Sequence, residues 1–523
     1  MTTKSHSHHM SFQTWLILCA AGILVFLMNI DYTAVNLTLV PISIELNEDL
    51  NNLQWLLSGY VLIWAAFVIP AGRIADIYGK RNTLIGGLIL FMLGSVLTGL
   101  GQNIETLITG RVIQGVGAAL FTAPCWAMIF TSAPPARQGF VMGIILSFAG
   151  LGLAAGPTLS GYIIETLVWR WIYYVNIPIG MVVIAILLLY AKNDRDPHLK
   201  TRINGLGTVL LSSGLCLSVY GLNQIEIWGV GDARFWITIG SGLAILVGFF
   251  FHDRMQPFQM IPRDLMRNKA FLAATFAETF MSMNFSLVLV LMGLYLQNTQ
   301  GYSSYETGLI FFALTLSMGA LSPLGGKMVD KLGLRQPMLF GAITTAIAMF
   351  LLSGLGEGSS LLFILVSLFI MGTGMGAFFT STNTAMMRSV PEATLNVASG
   401  VFTMWMMLGN TLSVILSTSF VVLFGRDALS EKIQMHHMDL TSEQIQDVTN
   451  VIAKIEHTPE QLSAFPQEQV PLLLEWVREA FVHGFSINMM LGCLWALIAA
   501  GITFWGIKGL DQSEGKTIMH GGM

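Results

Sequence analysis

Three ionisable residues lie inside long apolar stretches of the sequence: Asp31, Arg111 and Glu278. A charged side chain at the centre of a bilayer costs about 2.5–3.5 kcal/mol on insertion scales, so each must face a partner or a hydrated cavity. A carboxylate in such a place can bind and release a proton, and Asp31 is the natural partner of Arg111. We therefore predict that Asp31, Arg111 and Glu278 couple the protein to protons.

Other roles for these residues stay open at this point. Asp31 and Arg111 could form a fixed buried ion pair, and Glu278 could make a polar contact between helices or anchor a cation. If Asp31 titrates, its protonation would neutralise the pair. One proton driven inward by the membrane potential contributes about 2.3 kcal/mol per 100 mV. The sequence contains no complete Gly-x4-Gly-Lys-Ser/Thr loop, so nothing predicts ATP as the energy source.

The composition places these residues in a membrane protein. Of the 523 residues, 54% are hydrophobic and 11% are charged, whereas soluble domains carry about 25% charged residues. The charges cluster between apolar runs, which leaves no separate soluble domain. All four cysteines fall inside apolar runs and predict no disulfide framework. We expect no cofactor, no metal site, no enzymatic activity and no nucleic-acid partner.

Fourteen apolar stretches approach the length of about 20 residues that a membrane helix needs. The predicted helices are 13–36, 54–71, 83–101, 107–130, 139–164, 172–191, 204–223, 235–251, 271–297, 306–325, 337–355, 361–386, 397–423 and 484–507. Most of the 26 Lys and Arg residues then fall on the side that holds both chain ends. Because short basic loops stay in the cytoplasm, we predict that both termini are cytoplasmic.

A basic segment occurs twice, after the second and after the tenth predicted helix. In both copies an Asp follows a Gly by four residues, and another Gly comes three residues later. The residues concerned are Gly72, Asp76, Gly79, Lys80 and Arg81 in the first copy and Asp330 in the second. The start of a neighbouring helix favours a carboxylate, so each Asp could latch the two halves of the protein together. A plain turn held by local ion pairs is the alternative.

The two copies predict two similar six-helix halves related by an internal repeat. The helices between them, at about 204–251, are then an inserted pair. The expected organisation is a tail 1–12, a six-helix bundle 13–191, the inserted pair with its linkers 192–270, a second bundle 271–507 containing a long outer loop 424–483, and a tail 508–523.

The fifth predicted helix carries a spaced set of small residues. The set is Gly143, Gly152, Gly156, Pro157 and Gly161. A glycine stripe lets another helix approach closely, and the Gly-Pro pair bends the segment. The spacing resembles the antiporter motif of drug/proton exchangers in the major facilitator superfamily. A generic membrane helix with spaced glycines is the alternative.

Other segments resemble the fourteen-helix drug/proton antiporter (DHA2) group of that superfamily, which includes EmrB-like permeases. The repeated basic segment is similar to motif A, Arg111 to Gly117 is similar to motif B, and Trp169 to Gly180 is similar to a further signature. The resemblance implies an all-α fold of 6+2+6 helices, with the first and fourth helices adjacent around a central cavity. One departure is that Thr403 and Met406 stand where the family often has Asn and Arg.

A set of polar, methionine and aromatic residues is predicted to line the substrate cavity. The set is Asn36, Gln114, Met281, Asn284 and Trp405. Methionine side chains adapt to varied apolar ligands. Ordinary packing accounts for any single one of them equally well.

The outer loop 424–483 is too long for a simple connection. Thr441 to Gln444 and Thr458 to Gln461 fit helix capping boxes, and 471–481 has an apolar face. We expect two or three amphipathic helices on the outer surface. EmrB-like permeases carry a comparable loop, so the resemblance implies docking of a periplasmic adaptor and, through it, an outer-membrane channel. A passive surface cover is the alternative.

The sequence as a whole predicts a proton-coupled antiporter that exports amphipathic small molecules across a bacterial inner membrane by alternating access. A dedicated exporter of one metabolite, such as a siderophore or a lipid, is the nearest alternative. A receptor or enzyme built on a transporter fold is more remote, because no metal-ligand or nucleophile-base set supports it.

Overall fold

A computed structural model describes residues 10–194, 203–229, 231–436, 465 and 470–507. These residues are helical with short connections, and fourteen helices are long and apolar enough to cross a membrane, which confirms the predicted architecture. In chain order they are α1 Phe12–Ala34, α2 Trp55–Tyr78, α3 Lys80–Leu100, α4 Ile104–Ser132, α5 Gln138–Thr166, α6 Asn176–Tyr190, α7 Gly205–Asn223, α8 Ala233–Met255, α9 Lys269–Leu294, α10 Ser304–Leu332, α11 Arg335–Ser353, α12 Leu361–Arg388, α13 Leu395–Met435 and α14 Val470–Gly506.

The ends of these helices follow from local sequence. Asn103 and Ser303 start α4 and α10 as N-caps, and Ser303 forms a reciprocal capping box with Glu306. Gly79 and Gly333 end α2 and α10 with φ angles of 86° and 83°. Only glycine adopts this backbone region without strain, so both copies of the basic segment turn the chain in the same way. We call the end of the bundle that holds Gly79 and Gly333 the basic end.

The helices pack as two six-helix groups. Within α1–α6 the closest pairs are α3 with α4, α2 with α4 and α1 with α5, and within α9–α14 they include α10 with α12, α11 with α12 and α9 with α13. The two groups meet along two seams, where α5 packs on α10 and α2 packs on α13. Any cavity between the groups is therefore bounded by these four helices and their neighbours.

The helix pair α7 and α8 packs on one seam only. α7 lies against both α2 and α13, and α8 packs mainly on α7. Ser212 of α7 donates a hydrogen bond to the Ala66 carbonyl of α2 at 2.9 Å, and Tyr220 stacks on Trp55 at 5.4 Å between ring centroids. α7 is thus attached to the first group beside the α2–α13 seam.

The predicted outer loop is shorter than expected, because both flanking helices continue into it. α13 reaches Met435 and α14 begins at Val470. The apolar stretch predicted as a surface helix is the start of α14, where Leu473, Trp476 and Phe481 are buried. His436 lies 4.8 Å from Trp476 between ring centroids, so the two extensions pack on each other. The predicted capping boxes at 441–444 and 458–461 lie outside the described residues.

Candidate functional site

The Asp31 carboxylate and the Arg111 guanidinium form a buried ion pair between α1 and α4. Arg111 Nη1 lies 2.7 Å from Asp31 Oδ2, and the side chains of both residues are 0% exposed. Arg111 also donates from Nε to the Leu56 carbonyl at 2.8 Å, and its guanidinium lies 4.1 Å from the centre of the Tyr60 ring. The structure therefore brings together the two charges that the sequence predicted as partners.

Three further polar side chains complete this cluster. Gln114 accepts from Arg111 at 2.9 Å and donates to Ser95 at 2.6 Å. Asn176 donates to Asp31 Oδ1 at 2.9 Å and contacts Ser95 at the same distance. Ser95 and Asn176 were missed as site residues, although Asn176 belongs to the recognised run Trp169 to Gly180. Since both carboxylate oxygens have partners, the charge of Asp31 is fully compensated away from water.

Glu278 stands in a different environment on α9. It is 2% exposed, and Thr382 of α12 donates a hydrogen bond to its Oε2. Within the described part of the chain no Lys, Arg or His side chain lies within ion-pair distance of Glu278, so its carboxylate has no positive partner.

A cavity of about 370 Å³ lies between the two helix groups, and Glu278 is part of its wall. The side chains that line it come from α1, α2, α4 and α5 of the first group, from α9, α10, α12 and α13 of the second, and from α7. The wall includes both aromatic residues and asparagines, for example Tyr32, Trp126, Phe379 and Asn410. Of the described residues that line it, Glu278 is the one Asp, Glu, Lys, Arg or His.

Asn36 lines this cavity as predicted, but Gln114, Met281, Asn284 and Trp405 do not. On α9 the cavity face has the helical spacing of Glu278, Ser282, Phe285 and Ser286. The remaining four predicted residues face elsewhere: Met281 and Asn284 are fully buried on other faces of α9, Trp405 packs against Phe276, and Gln114 belongs to the Asp31 cluster. The sequence held a signal that was missed: Glu278, Ser282 and Ser286 recur at helical spacing on one face of α9, and Met281 and Asn284 lie off that face.

Two cavity residues come from the inserted pair and were not predicted. Val219 and Asn223 at the end of α7 form part of the wall. Their contribution depends on the packing of α7 over the α2–α13 seam, which the internal repeat does not predict. Thr403 and Met406, the two positions at which the resemblance leads us to expect Asn and Arg, also line the cavity.

At the basic end, Asp330 joins the second group to the first. Its two carboxylate oxygens accept hydrogen bonds from the backbone N–H groups of Gly139 and Phe140, both at 2.9 Å. These are the first residues of α5, where the helix dipole favours a negative charge. Arg388 of α12, which was not predicted here, lies 3.4 Å from the same carboxylate.

Asp76 occupies the equivalent position in the first copy of the basic segment. It accepts a hydrogen bond from Asn396 of α13 at 2.8 Å and contacts Arg73 at 3.2 Å. A Cβ on Gly72 would collide with the Asn396 carbonyl, so this glycine permits the close approach. We call these two contacts, Asp330 with α5 and Asp76 with α13, the paired latch.

Gly79, Lys80 and Arg81 do not cross between the groups. Lys80 Nζ lies 2.8 Å from Asp194, and Arg81 donates to the Ala191 carbonyl at 3.1 Å. Both partners follow the end of α6, so this part of the segment anchors the turn within its own group. Only Gly72 and Asp76 of the first copy bear on the other group.

The small residues of α5 pack in two directions. A Cβ on Gly143 would lie 2.8 Å from the Pro323 Cα of α10, across the seam, whereas a Cβ on Gly152 would lie 2.7 Å from the Phe26 carbonyl of α1. Gly156 meets Thr33 of α1. Gly161 departs from the expectation, because no described atom lies within 4 Å of its Cβ position. α5 runs unbroken through Pro157 from Gln138 to Thr166.

Comparison with known proteins points to one family. A sequence model described as the Major Facilitator Superfamily matches residues 21–414. The chain is 24% identical over 491 residues to the tetracenomycin C resistance and export protein of Streptomyces glaucescens, covering 94% of this chain and 91% of that one. It is 30% identical over 402 residues to the multidrug resistance protein Stp of Mycobacterium tuberculosis, covering 76% and 74%.

Solved structures agree on the fold. The proton:xylose symporter XylE matches with a TM-score of 0.59 at 13% identity, covering 95% of this chain and 97% of that one. The human organic anion transporter MFSD10 matches with a TM-score of 0.58 at 12% identity, covering 94% and 97%. At these identities the likeness concerns the fold alone.

Replacing Gly143 by Val should destabilise the packing of α5 on α10. The atoms it meets are backbone atoms of Ser322 and Pro323, which cannot move aside as a side chain can. Overpacking of this kind costs about 1–3 kcal/mol. Thermal unfolding of the purified protein in detergent should show the loss for Gly143→Val, while Gly161→Val in the same helix serves as the matched control. Equal melting of the two variants would contradict the assigned contact.

The Asp31–Arg111 pair should show strong coupling in stability. Asp31→Asn leaves Arg111 buried without a counter-charge, which costs about 3–5 kcal/mol. The double variant Asp31→Asn/Arg111→Gln removes both charges and should recover most of that loss. Melting temperatures of both single variants and the double variant give the cycle. Simply additive losses would show that the two side chains do not depend on each other.

Proposed function

Because the chain belongs to the Major Facilitator Superfamily, whose members are membrane transporters, we propose that it is an antiporter that exports cationic, amphipathic small molecules in exchange for protons. Several relatives are named for resistance to antibiotics or for their export, which supports the direction and the type of cargo. The carboxylate of Glu278, standing alone in a cavity between the two helix groups, carries this proposal.

The cavity suits such a cargo by size and chemistry. Aromatic and methionine side chains supply an adaptable apolar surface, and Glu278 is the one acidic side chain among the described residues of the wall. Trp126 and Tyr32 add ring faces that attract a cation. A neutral or cationic amphipathic molecule is accommodated without leaving a charge unpaired, whereas an anion would meet a carboxylate in a poorly hydrated place.

Exchange follows if a proton and the cargo compete for Glu278. A cationic substrate pairs with the ionised carboxylate, and a proton entering from the outside displaces it and neutralises the acid. The membrane potential gives about 2.3 kcal/mol per proton per 100 mV, and one pH unit adds about 1.4 kcal/mol. Together they support a gradient of a neutral cargo on the order of several hundredfold for each proton exchanged. Exchange of one proton for a monovalent cation moves no net charge, so the pH gradient alone drives it, and one pH unit supports a concentration gradient of about tenfold.

Alternating access requires that the paired latch opens and closes. With both contacts of the paired latch made, α5 sits on α10 and α2 on α13 at the basic end, which supports closure of the cavity toward that side. In this scheme the membrane is a bacterial inner membrane and the basic end faces the cytoplasm, since short basic loops stay inside. The described state is then the one that releases cargo outward and accepts protons.

Asp31 and Arg111 have a second role in this scheme. Neither residue lines the cavity, although Tyr32 beside Asp31 does. A proton can reach Asp31 only when the surrounding helices move, so the pair would sense the conformational state and not the cargo. Protonation there would release Arg111 and loosen α1 from α4.

A narrower cargo range is the second candidate. Thr403 and Met406 replace the Asn and Arg that related antiporters often carry, and both line the cavity. These replacements remove a positive charge from the wall, which favours a dedicated exporter of one cationic metabolite. The docking of an outer adaptor through the segment between α13 and α14 stays a prediction, as its central part lies outside the described residues.

Reconstituted in proteoliposomes, the protein should move ethidium, a monovalent aromatic cation, against its gradient when a pH gradient is imposed. Glu278→Gln cannot exchange a proton and should lower the initial rate about tenfold or more, because at least one charge pair with the cation is lost. Fluorescence of ethidium bound to trapped DNA reports the rate. A panel of neutral and cationic compounds then separates broad export from a single cargo.

The controls for this experiment are an uncoupler and the exposed acid near the end of α5, Glu165. Glu165→Gln should transport at the normal rate, and the uncoupler should stop uphill transport by the unsubstituted protein. Uphill transport that continues in the presence of the uncoupler, or that is unchanged in Glu278→Gln, would contradict the proposed coupling.

Substitution of Asn223 should change cargo preference more than turnover. The residue lines the cavity from α7 and takes no part in the Asp31 cluster or the paired latch. Asn223→Leu removes a hydrogen-bonding group, so the KM for cargoes that carry neutral polar groups should rise several-fold. The kcat, and the KM for cations that carry no other polar group, should stay near normal. Parallel changes for all cargoes would show that α7 only supports the fold.

A further inference from the structure

A second, strongly polar pocket lies at the basic end, away from the cavity between the groups. Its volume is about 560 Å³, and it forms where the end of α2, the end of α8 and the linker 256–268 meet. The charged residues that line it are Arg73, Arg254, Arg263 and Asp264. None of these residues was needed for the transport scheme.

The pocket is held in shape by specific hydrogen bonds. Asp253 at the end of α8 accepts from the backbone N–H groups of Met260 and Ile261, at 2.7 and 3.2 Å, and so folds the linker back. Arg73 of α2 donates to the Gln259 carbonyl at 2.5 Å. Arg263 donates to the Arg254 carbonyl at 2.8 Å. These hydrogen bonds therefore bring arginines from three chain segments to the wall of one pocket.

Two of the three arginines keep their charge uncompensated. Within the described residues no carboxylate forms an ion pair with Arg254 or Arg263, and Arg73 shares Asp76 with Asn396. Asp264 is the one acid on the pocket wall, so the local charge is positive. Guanidinium groups bind phosphate through paired hydrogen bonds, and a pocket with several of them favours a phosphate group over a carboxylate or chloride.

The pocket also borders the surface that faces lipid. Phe250, Phe251 and Met255 at the end of α8 are 46%, 59% and 80% exposed, as expected for side chains in contact with acyl chains. The Arg254 guanidinium lies 3.9 Å from the centre of the Phe250 ring. An arginine so placed keeps its stem along apolar surface and its charge at the headgroup level. A phosphate that belongs to a lipid reaches this pocket without leaving the bilayer.

We propose that this pocket binds the phosphate of an acidic phospholipid headgroup, with Arg254 and Arg263 as its principal ligands and Arg73 at its inner wall. Because Arg73 also contacts Asp76, an occupied pocket draws Arg73 away from the paired latch. Acidic lipid in the cytoplasmic leaflet would thereby favour opening of the basic end. The inference concerns lipid binding and does not depend on the cargo or on proton coupling.

The test measures lipid binding to the full-length protein in detergent. The protein is titrated with phosphatidylglycerol and, in a parallel series, with phosphatidylcholine. Native mass spectrometry counts the lipid molecules bound in each series. The double variant Arg254→Gln/Arg263→Gln should bind phosphatidylglycerol about tenfold more weakly than the unsubstituted protein, as two charge-assisted contacts are lost. Arg234→Gln is the matched control and should bind normally, because Arg234 is an exposed arginine in the first turn of α8, at the opposite end of that helix, and is paired with Asp232.

Three outcomes decide the matter. Equal phosphatidylglycerol binding by the double variant and the control overturns the site. Displacement of phosphatidylglycerol by inorganic phosphate at equal concentration overturns the lipid assignment, because the pocket would then recognise free phosphate. Selective loss of phosphatidylglycerol binding in the double variant, with an unchanged melting temperature, supports the proposed lipid site.

A second readout is transport. In vesicles lacking acidic lipid, ethidium efflux by the double variant and by the unsubstituted protein should be equal, and this readout alone rests on the proposed function.

Discussion

A charged or polar group inside the hydrocarbon must find its partner within the protein, and this constraint organises the whole structure. It places Arg111 against Asp31, the Leu56 carbonyl and the ring of Tyr60. Gln114, Ser95 and Asn176 add further hydrogen bonds to this cluster. The resulting cluster joins α1, α3, α4 and α6. Glu278 differs from Asp31 under the same constraint. It accepts a hydrogen bond from Thr382 and borders the cavity, whereas Asp31 pairs with an arginine.

The two membrane acids therefore differ in what their ionisation can do. A change at Asp31 disturbs a packed polar core and so acts on the arrangement of helices. A change at Glu278 alters the one acidic side chain on the described cavity wall and, in the proposed scheme, acts on the cargo. An antiporter needs both kinds of event, one that exchanges proton for substrate and one that links this exchange to the movement of two groups.

The seams show how the repeat is used. Gly72 on α2 meets the backbone of Asn396, and Gly326 on α10 meets the backbone of Gly139 at the equivalent place in the other seam. Each seam ends in an Asp that binds the opposite group. Asp330 accepts from the backbone N–H of Gly139 at the start of α5, and Asp76 accepts from the side chain of Asn396 at the start of α13. The inserted pair breaks this symmetry, because α7 covers the α2–α13 seam alone and adds Val219 and Asn223 to the cavity. One wall of the site thus has no counterpart in the repeat.

The sequence by itself determined the fourteen helices and the two basic segments, because hydropathy and glycine spacing are local properties. It also predicted the pairing of Asp31 with Arg111, although they lie 80 residues apart, because a charge within the membrane needs a partner and the apolar stretches offer few. It did not determine which face of a helix lines the cavity. On α9, Glu278, Ser282 and Ser286 share one face at helical spacing, but only packing against α12 and α13 decides that this face, and not that of Met281 or Asn284, lines the cavity. Tertiary structure likewise decided the position of α7 and the continuation of α13 and α14 into the predicted loop. It also decided the contact of Arg388 with Asp330 and the convergence of Arg73, Arg254 and Arg263. Each of these features depends on segments that are distant in the chain.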